Sequence, residues 1–293
     1  MKNNLHFRQQ VKMFMKHFLV FALFLGFYAT SSFAQPANLR GSMNSWGCEA
    51  LTDRGNVRAV RIQETATGNR EYKFDNNCSW DTSWGTGSTI TKNTKFSMGN
   101  GGNSTVATTN GYYYTYIIQD NTGTLSTSVL ETSYNPRTIS TPTRTPSTPS
   151  SSESVTVGVT LSGALQTGEY LYVRYSTNSW SSSSVVAMTT GTNPYTATIP
   201  AQSASTTVSY YFFTSNQSSI STPADADYYA LEVLNDSGSN YSYTVASSTT
   251  PTVTSSAATS VSSGTGTMNG NISSNGGASI DDYGFYYSTT SGF

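Results

Sequence analysis

The chain has 293 residues, and only 11% of them are charged, compared with about 25% in a typical soluble domain. Four of its 15 lysines and arginines lie in the first 34 residues, which hold none of the 16 aspartates and glutamates, so the remainder has a net charge of −5. This charge argues against a nucleic-acid partner, which normally meets a basic surface. Both histidines, His6 and His17, lie in the same segment, which excludes Ser-His-Asp and Cys-His catalysis and His-based zinc sites from the remainder.

The first 34 residues have the pattern of a signal peptide. Four basic residues precede an apolar run at 18–28, and small residues at 32–34 mark the place where a signal peptidase would cleave, after Ala34. The run has 11 residues, which is too short to cross a bilayer as a helix. We therefore expect a mature chain that begins at Gln35, has no membrane-spanning segment, and is secreted or held at the cell surface.

The rest of the chain is rich in Ser, Thr, Gly, Asn and Tyr, a composition typical of short strands alternating with turns. It predicts an all-β protein of tandem antiparallel domains, and the family resemblance of the motifs below implies that these domains are immunoglobulin-like β-sandwiches. Stretches rich in Pro, Thr and Ser predict extended linkers. The predicted organisation is a domain at 36–137, a linker at 138–152, a domain at 153–246, a linker at 247–250 and an incomplete domain at 251–293.

The first domain contains an alternating strand at 71–75, with Tyr72 and Phe74 on one face. Asn76 and Asn77 end this strand because Asn readily adopts turn conformations. The other strands predicted here are 38–46, which breaks at Asn44 and Ser45 and ends on Trp46, then 57–63, and a hairpin of 111–119 with 125–131.

The loop that follows the strand contains Trp80 and Trp84 among short polar side chains such as Asp81. A sugar presents C–H groups on its ring face and hydroxyls around its edge, so this mixture of flat apolar and hydrogen-bonding groups suits a glycan. Each tryptophan could instead close the end of a β-domain core. Two tryptophans within five loop residues favour a binding platform.

Three motifs carry a resemblance to a known family: RGSMNSWG at 40–47, YKFDNN at 72–77, and W-x-x-x-WG at 80–85. Together they resemble the β-sandwich starch- and glycogen-binding modules attached to pullulanases and other secreted amylolytic proteins. Modules of this fold also include purely structural ones, so binding does not follow from the fold. The resemblance implies an α-glucan site in which Trp46, Trp80 or Trp84 stacks on sugar rings, while Lys73 and Asn76 or Asn77 offer hydrogen bonds.

Cys48 and Cys78 are the two cysteines of the chain. An even pair in an exported protein predicts a disulfide, and closing a loop of this length stabilises a fold by about 3–4 kcal/mol on the chain-entropy model. The bond would hold the loops of Trp46 and Trp80 together and so reduce the ordering cost of binding.

The second domain resembles another group of starch-binding β-sandwich modules. The resemblance rests on Y-V-R-Y-S-x-x-S-W at 172–180, Y-T-A-T-I-P at 195–200, V-S-Y-Y-F-F at 208–213 and N-D-S-G-S-N-Y at 235–241. It implies Trp180 as the stacking aromatic, with Asn240 and Tyr241 matching the tail motif. The tail has fewer asparagines than usual and a second loop tryptophan is missing, so Trp180 as a structural residue is the alternative. The strands predicted here are 155–161, 169–177, 195–199, 206–214, 227–234 and 241–245.

Two acidic pairs, Asp225 with Asp227 and Asp281 with Asp282, raise the question of calcium. Calcium needs six to eight oxygen ligands, and neither loop supplies them. We therefore predict turns at both places, and no metal or cofactor.

The last segment, 251–293, resembles the opening of a fibronectin type III-like domain, with strands at 265–272 and 282–288. Such a sandwich needs about 100 residues, so we expect this segment to be the start of a longer polypeptide or of a truncated product. The side chains expected to remain incompletely buried are Val253, Met268, Ile272 and Phe285.

These observations predict a noncatalytic, monomeric carbohydrate-binding protein, or the binding arm of a larger polysaccharide-degrading protein, with an α-glucan as ligand. The alternative is a structural or adhesive surface protein whose modules are spacers. Glycoside hydrolysis can run on two carboxylates, for which Asp75 and Asp81 are candidates. Small sandwiches rarely enclose the cleft that hydrolysis needs, so we do not expect an enzyme within these residues.

Overall fold

The computed structural model describes residues 36–119, 125–188, 193–247, 249–277 and 280–288. The predicted signal peptide and the turn of the 111–131 hairpin lie outside these ranges. The described chain is all-β and antiparallel, as predicted, with two β-sandwiches followed by a two-stranded hairpin. In these ranges the helical elements are 3₁₀ turns, at Ser42–Asn44, Pro223–Tyr229 and Asp236–Gly238.

The first sandwich, called the first module, consists of two five-stranded sheets. One sheet has the order β2-β1-β5-β6, with β8 also paired to β5, and the other has the order β3-β4-β9-β10-β7. The strands are β1 (Asn38–Gly41), β2 (Glu49–Ala50), β3 (Thr52–Asp53), β4 (Val57–Gln63), β5 (Gly68–Asp75), β6 (Ser83–Trp84), β7 (Lys95–Met98), β8 (Ser104–Thr108), β9 (Tyr113–Gln119) and β10 (Leu125–Thr132).

The core of the first module forms where the alternating residues of β5 face the other sheet. Tyr72 and Phe74 are fully buried, and the ring of Tyr72 meets that of Tyr116 on β9 edge-on, with 5.0 Å between centroids. Successive residues of a strand point to opposite faces, so Lys73 and Asp75 lie on the outer face of the sheet. The strand predicted at 71–75 is confirmed, and its outer face positions the candidate site.

The second sandwich, called the second module, packs a three-stranded sheet, β11-β12-β15, against the sheet β14-β13-β16-β17, in which β18 also pairs with β16. Its core includes valines of β12 and alternate residues of β16, among them Tyr210 and Phe212. The strands are β11 (Ile139–Thr145), β12 (Val155–Leu161), β13 (Tyr170–Ser176), β14 (Ser184–Ala187), β15 (Tyr195–Ile199), β16 (Thr207–Ser215), β17 (Glu232–Leu234) and β18 (Tyr241–Thr244).

Strand β11 occupies the stretch that the sequence predicted to be a linker. It pairs with β12 from Ile139, opposite Leu161, to Thr145, opposite Thr156. Its proline, Pro142, lies where the register shifts between Ser140 and Thr143, and a bulge is a position at which a missing backbone N–H is tolerated. The expectation of an extended spacer at 138–152 was therefore wrong for 139–145.

A segment of the second module lies between the two sandwiches, and we call residues 223–231 the bridging segment. Tyr228 and Leu231 pack on the outer face of the first module at Val57, Ala59, Ile117 and Leu130. Ala226 and Ala230 pack on the second module at Tyr172, Tyr211 and Phe213.

The strand predicted at 227–234 is only partly correct. A 3₁₀ turn beginning at Pro223 occupies its first part, and β17 (Glu232–Leu234) its last. Proline fixes a φ that suits the first residue of a helical turn. The turn directs its large side chains to the first module and its alanines to the second.

The tail hairpin comprises β19 (Thr252–Thr259) and β20 (Thr267–Ser274). Val253, Met268, Ile272 and Phe285 are 65%, 45%, 38% and 46% exposed, which confirms that they are not fully buried. The strand predicted at 282–288 is absent from the described range 280–288. A strand forms by pairing with a neighbour, and this stretch pairs with neither strand of the hairpin.

Candidate functional site

Two tryptophans meet on the outer side of the first module. The ring centroids of Trp46 and Trp80 are 5.8 Å apart, with the planes tilted by 54°. A disulfide joins Cys48 to Cys78, as predicted, and so connects the loop of Trp46 to that of Trp80. Trp80 is 40% exposed. We call Trp46, Trp80 and the polar residues around them the aromatic patch.

The carboxylate of Asp75 shapes the loop that carries Trp80. Asp75 is fully buried, and its oxygens accept hydrogen bonds from the backbone N–H groups of Asn77 and Trp80, both at 2.9 Å, and of Cys78. These bonds hold Cys78 and Trp80 at φ of 66° and 69°, in the left-handed region that side chains rarely adopt. A single acidic residue thus folds the loop back over the sheet.

Arg40 lies between the two loops. Its guanidinium is stacked on the ring of Trp80, with 3.7 Å from Cζ to the centroid. The same group donates hydrogen bonds to the carbonyl oxygens of Trp46, at 2.9 and 3.0 Å, and of Cys78, at 2.8 Å. It also lies 3.8 Å from a carboxylate oxygen of Asp75. Arg40 therefore fixes the orientation of Trp80 by stacking and by bonds to both loops.

Polar side chains of the same loop surround Trp80. The amide of Asn77 donates to Asp81 at 3.3 Å, and the backbone N–H of Ser79 donates to Asn77 at 3.2 Å. Hydrogen bonds from Ser79 and Asn77 lower the pKa of the exposed Asp81 carboxyl. Lys73 lies directly opposite Arg40 across the β1–β5 pair. Lys73, Asn77, Trp46 and Trp80 therefore lie on one side of the module.

Two predicted binding residues of this loop have all or part of their side chains buried. Trp84 is only 3% exposed, because it pairs with Phe74 across β5 and β6 and shares its core-facing orientation. The prediction that Trp84 stacks on sugar was wrong. The side-chain oxygen of Asn76 is buried without a hydrogen-bond partner in the described structure.

The predicted residues of the second module do not form one site. Trp180 packs on Tyr211, with 5.6 Å between centroids, whereas Tyr241 packs on Tyr210 and Phe212. Neighbouring residues of a strand point to opposite faces, so Trp180 and Tyr241 lie on opposite faces of the sheet. Asn240 is in a left-handed turn and donates its backbone N–H to Asn235. The stacking candidate Trp180 and the tail-motif residue Tyr241 therefore do not contribute to one surface.

An internal repeat links the two tryptophan turns. R-x-S-x-N-S-W occurs at Arg40–Trp46 and again at Arg174–Trp180, and in both copies the Ser-Trp pair has a left-handed φ. In the second copy, Cζ of Arg174 lies 5.2 Å from the centroid of Trp180. Sequence reading overlooked this repeat, which identifies the arginine as part of each tryptophan turn.

The acidic candidates are engaged in ion pairs and loop bonds. The carboxylate of Asp75 is fully buried and bonded to the loop backbone, so it does not face Asp81 across an open cleft. Asp225 pairs with Lys95 at 2.5 Å, and Asp227 pairs with Arg174 at 2.9 Å. Within the described ranges no group of three or more acidic, Cys or His side chains has the geometry to hold a metal ion.

Two observations bear on location. A disulfide is typical of proteins in oxidising compartments, and the bond between Cys48 and Cys78 is consistent with an extracellular protein. A search of the described ranges for a helix with the length and hydropathy of a membrane span finds none.

No family model and no curated protein sequence matches this chain. Among solved structures, the FN1–FN3 domains of chicken CNTN1 align with 73% of this chain and 99% of that chain, at 9% sequence identity and a TM-score of 0.26. The tandem β-sandwich architecture rests on the strand pairing of the chain itself; the similarity to these fibronectin type III domains is weak and assigns no family.

Proposed function

We propose that this chain is a noncatalytic, exported carbohydrate-binding protein whose aromatic patch binds a glycan, with an α-glucan as the expected ligand. The observation that carries the proposal is Trp80, which is 40% exposed although Arg40 and the disulfide hold it rigidly. A large exposed aromatic side chain fixed in place at the cost of two left-handed residues is more typical of a ligand site than of a folding requirement.

The surroundings of Trp80 support a sugar as the ligand. The ring offers apolar surface to the C–H face of a pyranose, and burying such surface is favourable by about 25 cal/mol per Å². The exposed amide of Asn77 and carboxylate of Asp81 can bond to hydroxyls, and Lys73 supplies a donor. Because the loop is already ordered by Asp75 and Arg40, little conformational entropy is lost on binding.

Affinity electrophoresis of the full chain tests this proposal. The purified protein is run in gels that contain soluble starch, glycogen, xylan or no glycan, beside a Trp46→Ala, Trp80→Ala double variant. We expect an α-glucan to retard the wild type, and the double variant to lose most of this retardation, since truncating anchor aromatics weakens binding by about 2 kcal/mol or more. The control is Tyr286→Ala, which removes an aromatic that is 95% exposed on the tail.

Two results would count against the proposal. Wild type that migrates equally in all gels has no glycan site, and a double variant that is retarded as strongly as wild type binds elsewhere. The circular dichroism spectrum of each variant establishes that it is folded.

A structural or adhesive role is the second candidate, and the contact between the modules favours it. The bridging segment is packed on both sandwiches, and Arg61 forms a 2.6 Å ion pair with Glu232 across the same contact. Such a joint suits a stiff spacer at the cell surface. If no glycan retards the folded wild type, the structural or adhesive role becomes the favoured function.

A further inference from the structure

A cleft of about 590 Å³ opens in the first module, beyond the residues of the aromatic patch. One wall is the stretch 86–91, which pairs with the start of β8: the N–H of Ile90 donates to Thr105 at 2.8 Å. The opposite wall is β7, the last strand of the other sheet. The cleft thus lies where the two sheets separate at one side of the sandwich.

Glycines close the end of this cleft. Gly85 donates its N–H to Gly99 at 2.8 Å, and Gly101 donates to Gly85 at 3.2 Å. A Cβ added at Gly85 would lie 2.1 Å from the carbonyl oxygen of Gly102, and one added at Gly101 would lie 2.8 Å from that of Gly85. Only glycine allows these backbones to approach so closely, so the shape of the cleft is fixed by the main chain.

The lining is uncharged and rich in hydroxyls. Ile90 and Phe96 add half-buried apolar surface. The side chains of Ser88, Thr89 and Ser97 are exposed. The hydroxyl-bearing side chains of the lining are Thr86, Ser88, Thr89, Thr91, Thr94 and Ser97.

We infer that this hydroxyl-lined cleft is a second subsite for the glycan of the aromatic patch and accepts neutral sugar units. A charged ligand would find no opposite charge in the lining, whereas sugar hydroxyls can form hydrogen bonds with exposed protein hydroxyls at little desolvation cost. Ile90 and Phe96 provide apolar contact for the sugar ring. This inference rests on the proposed function, and it extends the site from single stacking to recognition of an oligosaccharide.

The outer face of the sheet connects the cleft to the aromatic patch. Arg40, beneath Trp80, lies directly opposite Lys73, and a Cβ added at Gly85 would lie 3.4 Å from Cε of Lys73. Neighbouring strands are about 4.8 Å apart, so two strand spacings, about 10 Å, separate Arg40 from the strand that runs into Gly85. One extended glycan can therefore contact Trp80, Lys73 and the cleft together.

A bulky residue at Gly99 tests the cleft. A Cβ at Gly99 would meet no atom within 4 Å, and its φ is not left-handed, so Gly99→Phe can fill the cleft without straining the backbone. Ser97→Trp is a second variant, on the exposed wall. Gly264→Phe is the matched control, since a Cβ there also meets open space. Binding of maltoheptaose, cellohexaose and xylohexaose to the full chain is measured by isothermal titration calorimetry.

We expect one of these oligosaccharides to bind wild type. Gly99→Phe or Ser97→Trp should raise its Kd by about tenfold or more, and Gly264→Phe should leave the Kd unchanged. If both folded cleft variants bind as tightly as wild type and the Trp46→Ala, Trp80→Ala variant does not bind, the cleft is not a glycan subsite. The proposed function then stands. Loss in the cleft variants alone supports the cleft and overturns the aromatic patch. Absence of binding to wild type overturns both.

Discussion

At the scale of single residues, the first module uses its two loop tryptophans in opposite ways. Trp84 fills the core opposite Phe74, whereas Trp80 is held outside by Arg40. The difference arises from the strand β6, whose alternation turns Trp84 inward, and from Asp75, whose bonds turn the chain outward at Trp80.

This difference predicts unequal stability for two identical truncations. Trp84→Ala should lower the free energy of unfolding by about 3–5 kcal/mol, because it empties a packed core position. Trp80→Ala should lower it by about 1 kcal/mol, since it removes a partly exposed ring whose contacts are with Arg40 and Trp46 at the surface. Urea unfolding followed by circular dichroism measures both. Equal losses in the two variants would contradict the assignment of Trp80 to the surface.

Sequence reasoning placed Trp46, Trp80 and Trp84 in one candidate site and could not tell that Trp84 belongs to the core. The W-x-x-x-W spacing does not indicate that the chain returns to the sheet at Ser83 and forms the two-residue strand β6, which contains Trp84. Pairing partners are set by long-range contacts, and a two-residue strand has too little alternation to recognise. The role of Arg40 was missed for a different reason, because its evidence is the repeat at Arg174, which becomes visible only when the two modules are compared.

At the scale of elements, the disulfide links two loops that follow neighbouring strands of one sheet. The Cys48–Cys78 bond joins the turn after β1 to the loop after β5. Both elements belong to the same sheet, so the bond reinforces neighbours that already pair.

Removing the disulfide should destabilise the first module. For the Cys48→Ser, Cys78→Ser variant we expect a loss of about 3–4 kcal/mol in the free energy of unfolding, from the greater entropy of the unlinked unfolded chain. Urea titration without reductant measures the loss, and wild type treated with dithiothreitol should reproduce it. A wild type whose unfolding midpoint does not respond to dithiothreitol would contradict this expectation.

Glu169 fixes the start of the second module and makes its stability depend on pH. Its carboxylate accepts hydrogen bonds from the backbone N–H groups of Arg137, at 2.7 Å, and Gln166, at 3.1 Å. Burial raises the pKa of this carboxyl, although those hydrogen bonds partly offset the effect. The folded protein therefore keeps a proton that the unfolded chain releases near pH 4.3.

This difference in bound protons determines whether the free energy of unfolding rises or falls with pH. Between about pH 4.3 and the raised pKa the folded state binds more protons than the unfolded state, so stability decreases as pH rises through this window. Glu169→Gln removes the titration, and its curve of unfolding free energy against pH should fall less steeply there. Urea unfolding of both proteins from pH 4 to pH 7 measures the two slopes, and parallel curves would contradict the raised pKa.

The strand β11 shows why a linker could not be told from an edge strand by composition. Alternating threonines suit a strand, and prolines suit a spacer, so the sequence at 139–145 supports both. The outcome depends on whether a sheet edge is available, and β12 provides one.

At the scale of the whole molecule, burial on both faces of strands indicates that the two modules form a unit. Residues 114–118 of β9 are all buried, although a strand of an isolated sandwich is buried on one face only. The bridging segment covers the second face: Leu231 and Tyr228 pack on Ile117 and its neighbours. Arg54 adds hydrogen bonds to the carbonyl oxygens of Ala230 and Leu231, at 2.9 and 3.1 Å.

This packing predicts that the modules unfold cooperatively and that one side chain of the bridging segment controls the coupling. Leu231 is fully buried against the first module, so Leu231→Ala should weaken the contact by about 2–5 kcal/mol. Differential scanning calorimetry should then show two transitions where wild type shows one. Val245→Ala, a deletion in the core of the second module, is the control and should lower the single transition without splitting it. If Leu231→Ala also keeps one transition, shifted as in Val245→Ala, the bridging segment is not what couples the modules, and the stiffness that favours a spacer role loses its basis.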